Sequence, residues 1–189
     1  MIAAVNGNKA YFPGTGTGNV VVVFDATDDS FTVIGSGHSR TNGGTVIALG
    51  NYVLFAGGYS NTDDSVTNKI DIYDSSDDSW TPADSVIGYF DCNSELLMYR
   101  TPRGLMGAAV SGNLVYLVGG VDGDNNIFDD VYIWDITTKT WASDNLPAPR
   151  GGMGSASVGT TILFAKGYTS GLSISDTIDI YTPGTGQTR

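Results

Sequence analysis

Apolar positions along this chain fall in short runs of five to seven residues, rich in Val, Ile, Tyr and Phe and separated by Gly, Asn, Asp and Ser. Runs of that length between turn residues read as strands joined by hairpins. The stretch NYVLFAGGYSNTDDSVTNKIDIYDSSDDSW (51–80) shows the grammar: an apolar run, a double glycine, a polar loop, a second run ending in aromatic-Asp, and a tryptophan. In the second run Ile70 and Ile72 share a face opposite Asp71 and Tyr73. The more continuous run before Gly57 is expected to be buried on both faces.

The grammar repeats. VLFAGG (53–58) aligns with VYLVGG (115–120), ILFAKG (162–167) and AYFPGT (10–15). NVVVVFD (19–25), KIDIYD (69–74), DVYIWD (130–135) and DTIDIYT (176–182) follow in the same order. Phe24 and Phe31, Tyr73 and Trp80, and Trp134 and Trp141 are each seven residues apart. Gly7, Gly50, Gly112 and Gly159 each precede the glycine position (Gly14, Gly57, Gly119, Lys166) by seven. Successive copies are offset by 43, 62 and 47 residues, so four copies are present. Each copy carries up to four runs, a to d, with Gly57 and Gly58 at a point needing positive φ or a close approach of backbone. The units are 1–33, 34–82, 103–142 and 149–189, with an insertion at 83–102 in one domain.

The diglycine after an apolar strand, the aromatic-Asp, the Trp seven residues on and an arginine sixteen or seventeen before the glycine position (Arg40, Arg103, Arg150) resemble kelch repeats. The resemblance implies an all-β fold, a kelch-like β-propeller with four four-stranded blades in this chain. Copy 1 lacks the arginine, and copy 4 has Lys166, Thr182 and Thr188 for the glycine, Asp and Trp. Kelch propellers more usually have more than four blades, and an open ring leaves two apolar faces wet. The chain therefore reads as a closed small ring, as one of two paired chains, or as part of something longer, the last being favoured. Against the last stands a chain that begins at a strand a and ends near the start of a strand d.

Acids outnumber Lys plus Arg by 20 to 9, for a formal charge of -11, which argues against nucleic acid as a partner. All but Glu95 of the acids are Asp, and with 26 Gly this marks a turn-rich chain with almost no helix. Lone Cys92 excludes an internal disulfide framework, and no apolar stretch reaches the ~18 residues a membrane helix needs. MIAAVNGNKAYF carries no signal-peptide pattern, and Asn-x-Ser/Thr is absent. The Asp, Ser, Thr and Gly content with four Lys resembles extracellular or cell-surface β-proteins, while the lone Cys permits the cytoplasm too.

Alternating strands put the b–c and d–a links on one side, where the longest loops gather: 58–68, 121–130, 167–176, His38 with Arg40, and the insertion. The other side receives the DATDDS and DSSDDS tips, read as solvated turns. The insertion's Tyr89, Phe90, Leu96, Leu97, Met98 and Tyr99 either cap a blade junction or present a binding patch. Arg40, Arg100, Arg103 and Arg150 either grip a carboxylate ligand or pair with a repeat Asp or backbone carbonyls. The resemblance adds that some kelch propellers hold acidic peptides with arginines on this face. Asp122, Asp124 and Asn126 place oxygens as a calcium loop begins, but the sixth-place glycine is missing and Ile133 stands where the bidentate Glu belongs. No other cofactor is expected.

Enzymatic readings are weaker. A copper radical oxidase on a kelch scaffold needs two histidines and a Tyr-Cys cross-link, and this chain has one His and one Cys far apart. SDDSW (76–80) lacks the Gly and Thr of a sialidase box, and His38 beside Ser39 points the other way on an extended chain. The expected function is a non-catalytic binding module docking a protein or carbohydrate ligand on the loop-rich face. The alternatives are a structural protein whose blades stack between chains and, more weakly, a fragment of a kelch-type enzyme. Homo-oligomers or additional blades are the expected routes to covering its ends.

Overall fold

The computed structural model describes residues 3–14, 19–35, 42–60, 65–81, 101–182 and 186–188. Sheet 1 comprises β1 (Ala4–Asn6), β2 (Lys9–Pro13), β3 (Val20–Asp25) and β4 (Ser30–Gly35). Next come β5 (Thr45–Leu49), β6 (Tyr52–Ala56), the short β7 (Tyr59–Ser60) and β8 (Ser65–Val66), β9 (Ile70–Asp74) and β10 (Ser79–Thr81). Sheet 2 runs β5-β6-β9-β10, while β7 and β8 form a ribbon of their own. Sheet 3 is β11 (Gly107–Ser111), β12 (Leu114–Val118), β13 (Asp130–Asp135) and β14 (Thr140–Asn145). Sheet 4 is β15 (Gly154–Val158), β16 (Thr161–Ala165), β17 (Ile178–Thr182) and β18 (Gly186–Thr188). Every pairing is antiparallel, so each copy is a four-stranded meander, and the segments bearing Tyr73 and Trp134 lie in different sheets.

Local chemistry explains each hairpin. Gly7, Gly50, Gly112 and Gly159 take φ between 57° and 59° at the first position of two-residue loops, where a type II′ turn wants glycine. At the opposite hairpin, Asp25, Asp74 and Asp135 accept the N–H of Thr27, Ser76 and Thr137 two residues on. This side-chain turn is why aromatic-Asp recurs. The seven-residue aromatic spacing is a cross-strand pair: Phe24 faces Phe31, Tyr73 faces Trp80 and Trp134 faces Trp141. Their ring centroids lie 4.9, 5.0 and 6.3 Å apart.

The sheets pack side by side in chain order. Tyr11, Val21 and Val23 of sheet 1 meet Val53, Phe55 and Tyr73 of sheet 2. Leu54, Ile70 and Ile72 of sheet 2 meet Val115, Leu117 and Trp134 of sheet 3. Tyr116, Val118 and Val131 of sheet 3 meet Ile162, Phe164 and Tyr181 of sheet 4. The first strands of the sheets run beside one another, with Thr45 Oγ1 donating to Met106 O at 2.9 Å and Ser111 Oγ to Thr160 O at 3.3 Å. This is the blade arrangement of a propeller, and the sheets are called blades 1–4 below.

Burial of the b runs differs between blades, for a physical reason. β6 and β12 are buried at four consecutive positions, whereas β16 alternates between buried and half-buried and β2 is buried only at Tyr11. Blades 2 and 3 have a neighbour on each side; among the described residues blades 1 and 4 have one each.

Candidate functional site: the loop-rich rim

The b–c links leave one end of the blades and fold back over the segments that lead into each first strand. Tyr59 bridges Asn42, Val121 bridges Gly104 and Tyr168 bridges Gly151, and each link closes on itself through β7–β8, Val121–Ile127 or Tyr168–Ile174. Gly119 and Gly120 show why the double glycine is needed. Both have positive φ, 61° and 111°, and a Cβ at Gly119 would lie 2.1 Å from Arg150 O. Positive φ and close approach therefore act together. Gly120 N–H donates to Arg150 O at 3.0 Å and Gly58 N–H to Arg103 O at 3.0 Å, tying each link to the next blade. Lys166 keeps the conformation of Gly57 and Gly119, with φ 60° against 58° and 61°, and its side chain is exposed.

The repeat arginines lie inside these ties. Arg103 and Arg150 are each only 2% exposed, and both bond within the fold. Arg103 Nη1 bonds Asp130 Oδ2 at 2.7 Å and Gly119 O at 3.3 Å, and its guanidinium lies 3.7 Å from the Phe128 ring centroid. Arg150 pairs with buried Asp179, and its Nη1 donates to Thr177 O at 3.1 Å and Lys166 O at 3.3 Å. A buried guanidinium needs this many partners to offset its lost hydration. Arg40, Tyr89, Phe90, Tyr99 and Arg100 lie outside the described residues, as do His38 and Cys92.

Asp122, Asp124 and Asn126 lie together in the 121–130 link and bond to one another. Asp122 Oδ1 accepts the backbone N–H of Asp124 at 2.9 Å and of Asn126 at 2.8 Å, and Oδ2 accepts Asn126 Nδ2 at 2.9 Å. The carboxylate that would lead a cation site is thus turned inward to close its own loop. Burial pushes the Asp122 carboxyl up, but these bonds and nearby Arg103 outweigh it and hold it below the usual carboxylate range. Among the described residues no three His, Cys, Asp or Glu side chains gather in one place.

Among the exposed rim residues are three large apolar ones: Leu105, 43% exposed, and Tyr168 and Ile174 on the blade 4 link. Leu105 N–H donates to Gly43 O and Gly152 N–H to Leu105 O, both at 2.7 Å, so three lead-in segments join edge to edge. The Tyr168 ring packs over Gly152, at 3.1 Å from where its Cβ would be. Leu105 has φ 55° where its equivalents Gly43 and Gly152 have 64° and 65°. A leucine held in the left-handed region costs about 1–2 kcal/mol. The repeat alignment carries this signal as a leucine in a column of glycines.

The comparisons with known proteins agree with this architecture. Residues 102–143 match the Kelch motif. The chain is 28% identical to the Kelch domain-containing protein SSO1033 of Saccharolobus solfataricus, covering 91% of this chain and 22% of that protein. It is 23% identical to the Kelch-like protein terF of Aspergillus terreus, covering 85% of this chain and 34% of that protein. The chain thus spans about a fifth to a third of the length of these curated relatives. The solved structure of YjhT superposes with a TM-score of 0.75 at 14% identity, over 98% of this chain and 62% of that one, a likeness of fold.

Proposed function

This chain belongs to the kelch-repeat family of β-propellers, and from that premise we propose that it is a non-catalytic module docking a protein segment on its loop-rich rim. Kelch propellers typically mediate protein binding. The observation that carries the reading here is Leu105, an exposed apolar side chain maintained in strained backbone where two equivalent positions carry glycine. Strain that the fold could shed by glycine, yet retains at a surface, is characteristic of recognition sites. Tyr168 and Ile174 extend the apolar strip.

The charge around it favours one kind of partner. Arg103 and Arg150 are buried and occupied, while the links of the rim carry Asp122, Asp124 and Asp176. An acidic peptide gripped by these two arginines is therefore disfavoured. The surface suits a segment with an apolar anchor flanked by Lys or Arg.

A random peptide library displayed on phage and selected against the folded chain tests this. Selected peptides are expected to be basic with an apolar centre and to lose about tenfold or more in affinity for Leu105→Gly, a typical effect of losing an interface anchor. The same substitution is expected to leave stability unchanged or raise it by about 1 kcal/mol, because the left-handed strain is relieved. Peptides that bind Leu105→Gly and the parent chain equally would refute the rim as the docking surface.

A further inference from the structure

We propose that the cavity between blades 3 and 4 is a binding site for a small arylalkylammonium ion, an aromatic ring carrying a primary amine on a short chain. The cavity has a volume of about 270 Å³ and is lined by Leu114, Tyr116, Ile133, Asp135 and Ala142 of blade 3 and Tyr181 of blade 4. That volume lies at the lower end for small-molecule sites and suits a ligand smaller than a drug. Both walls belong to this chain. Leu114, Asp135 and Thr140 form the cross-strand row next to the c–d turn, so the cavity sits at the end of the blades opposite the rim.

The equivalent places in the other two junctions show what chemistry belongs there. Register makes Lys9, Tyr52 and Leu114 equivalent, each paired with the repeat aspartate, Asp25, Asp74 or Asp135. In blade 1 the carboxylate has a cation beside it, with Lys9 Nζ 3.8 Å from Asp25 Oδ2. Between blades 2 and 3 the place holds an aromatic ring and an ammonium together. Tyr52 meets Trp134 edge-on at 5.3 Å, and Lys139 Nζ, from the c–d turn of blade 3, lies 3.4 Å from the Tyr52 ring centroid. Burial pushes the Asp74 carboxyl up, but bonds from Ser76 and Tyr52 and the Lys139 charge outweigh it.

The junction of blades 3 and 4 keeps the carboxylate and changes both companions. Leu114 stands where blade 2 has Tyr52, and the c–d turn of blade 4 reads PGT (183–185), without a lysine. The bonds to Asp135 from the Thr137 and Thr138 N–H groups, 2.7 and 3.2 Å, both go to Oδ1, and among the described residues no salt bridge joins it to a cation. A ring with an ammonium supplies the two groups that Tyr52 and Lys139 supply one junction earlier. Tyr116 and Tyr181 already meet edge to face at 5.6 Å, a cluster that a third ring extends. The ammonium is held by the Asp135 carboxylate and by the tyrosine rings. Tyr116 is fully buried and its hydroxyl has no hydrogen-bond partner, so the lining holds an unmet polar group as well as apolar surface. Asp135 and the net charge of -11 disfavour an anion.

Isothermal titration calorimetry of the 189-residue chain with benzylammonium tests the site. Saturable binding at one site per chain is expected. Benzyl alcohol, the neutral counterpart, is expected to bind roughly tenfold or more weakly, the size of a lost charge-assisted hydrogen bond. Asp135→Asn keeps the turn bonds through its amide oxygen and is expected to lose the same factor for benzylammonium. Asp74→Asn, whose carboxylate already has Lys139, is expected to leave binding unchanged. Ala142→Leu, on the cavity wall, is expected to block binding without lowering Tm. Nα-acetyl-lysine amide, which stands for a partner's lysine side chain, is expected to bind more weakly than benzylammonium. A parent chain that does not bind benzylammonium saturably would overturn the proposal, as would equal affinity for the alcohol. Asp135→Asn or Ala142→Leu binding like the parent, Asp74→Asn losing as much as Asp135→Asn, or tighter binding of the lysine amide would overturn it too.

Discussion

Arg103 and Arg150 occupy one repeat position, yet the two are not equally replaceable. Asp179, the partner of Arg150, is 2% exposed, so removing the arginine strands a carboxylate without water. The Asp130 side chain is 33% exposed and can hydrate if Arg103 leaves. Arg150→Met is expected to cost about 3–5 kcal/mol and Arg103→Met clearly less, measured by urea denaturation. Arg150→Met with Asp179→Leu recovers most of the loss if the stranded charge is the cause; equal losses for all three variants would contradict this. The sequence allowed both readings of these arginines because their spacing marks a repeat position, while burial decides what an arginine does there. Leu105 shows the converse: its meaning lies in a backbone angle, legible only as a departure from the glycines around it.

At the scale of elements, the sequence was most informative where chemistry is local. The glycine hairpins, the Asp-closed turns and the aromatic pairs all rest on contacts within one meander, and each appears at its predicted spacing. Burial of the b runs was less legible, since the same apolar run is covered on both faces in blade 3 and on one in blade 4. That difference depends on neighbours far along the chain. Blade 4 also departs in its last strand, where Tyr181 pairs with Gln187 rather than with a tryptophan. A cavity of about 270 Å³ opens there between Leu114, Ile133, Ala142 and Tyr181. The Tyr116 hydroxyl beside it is buried without a hydrogen-bond partner, and burial raises its pKa. Ala142→Leu, at a residue lining this space, is expected to fill part of it and raise Tm by about 2–4 °C, on the basis of roughly 1 kcal/mol gained. An unchanged or lowered Tm in calorimetry would show that the space does not limit packing there.

At the scale of the molecule, one relation organises everything: equivalent sheets lie side by side, and each hides its apolar faces only against a neighbour. Repeat architectures of this kind gain stability from unit-to-unit interfaces. The four-blade count and the side bearing the long loops were legible in the sequence because repetition and strand alternation dictate them. The occupant of the rim was not, since it depends on which few side chains emerge from the links. Amide hydrogen exchange, resolved by strand on the 189-residue chain, tests the central relation most directly. The strands β6, β9, β12 and β13 are expected to be the most protected, with β2, β3, β16 and β17 exchanging faster. Uniform protection across the four blades, or greater protection in blades 1 and 4 than in blades 2 and 3, would contradict it.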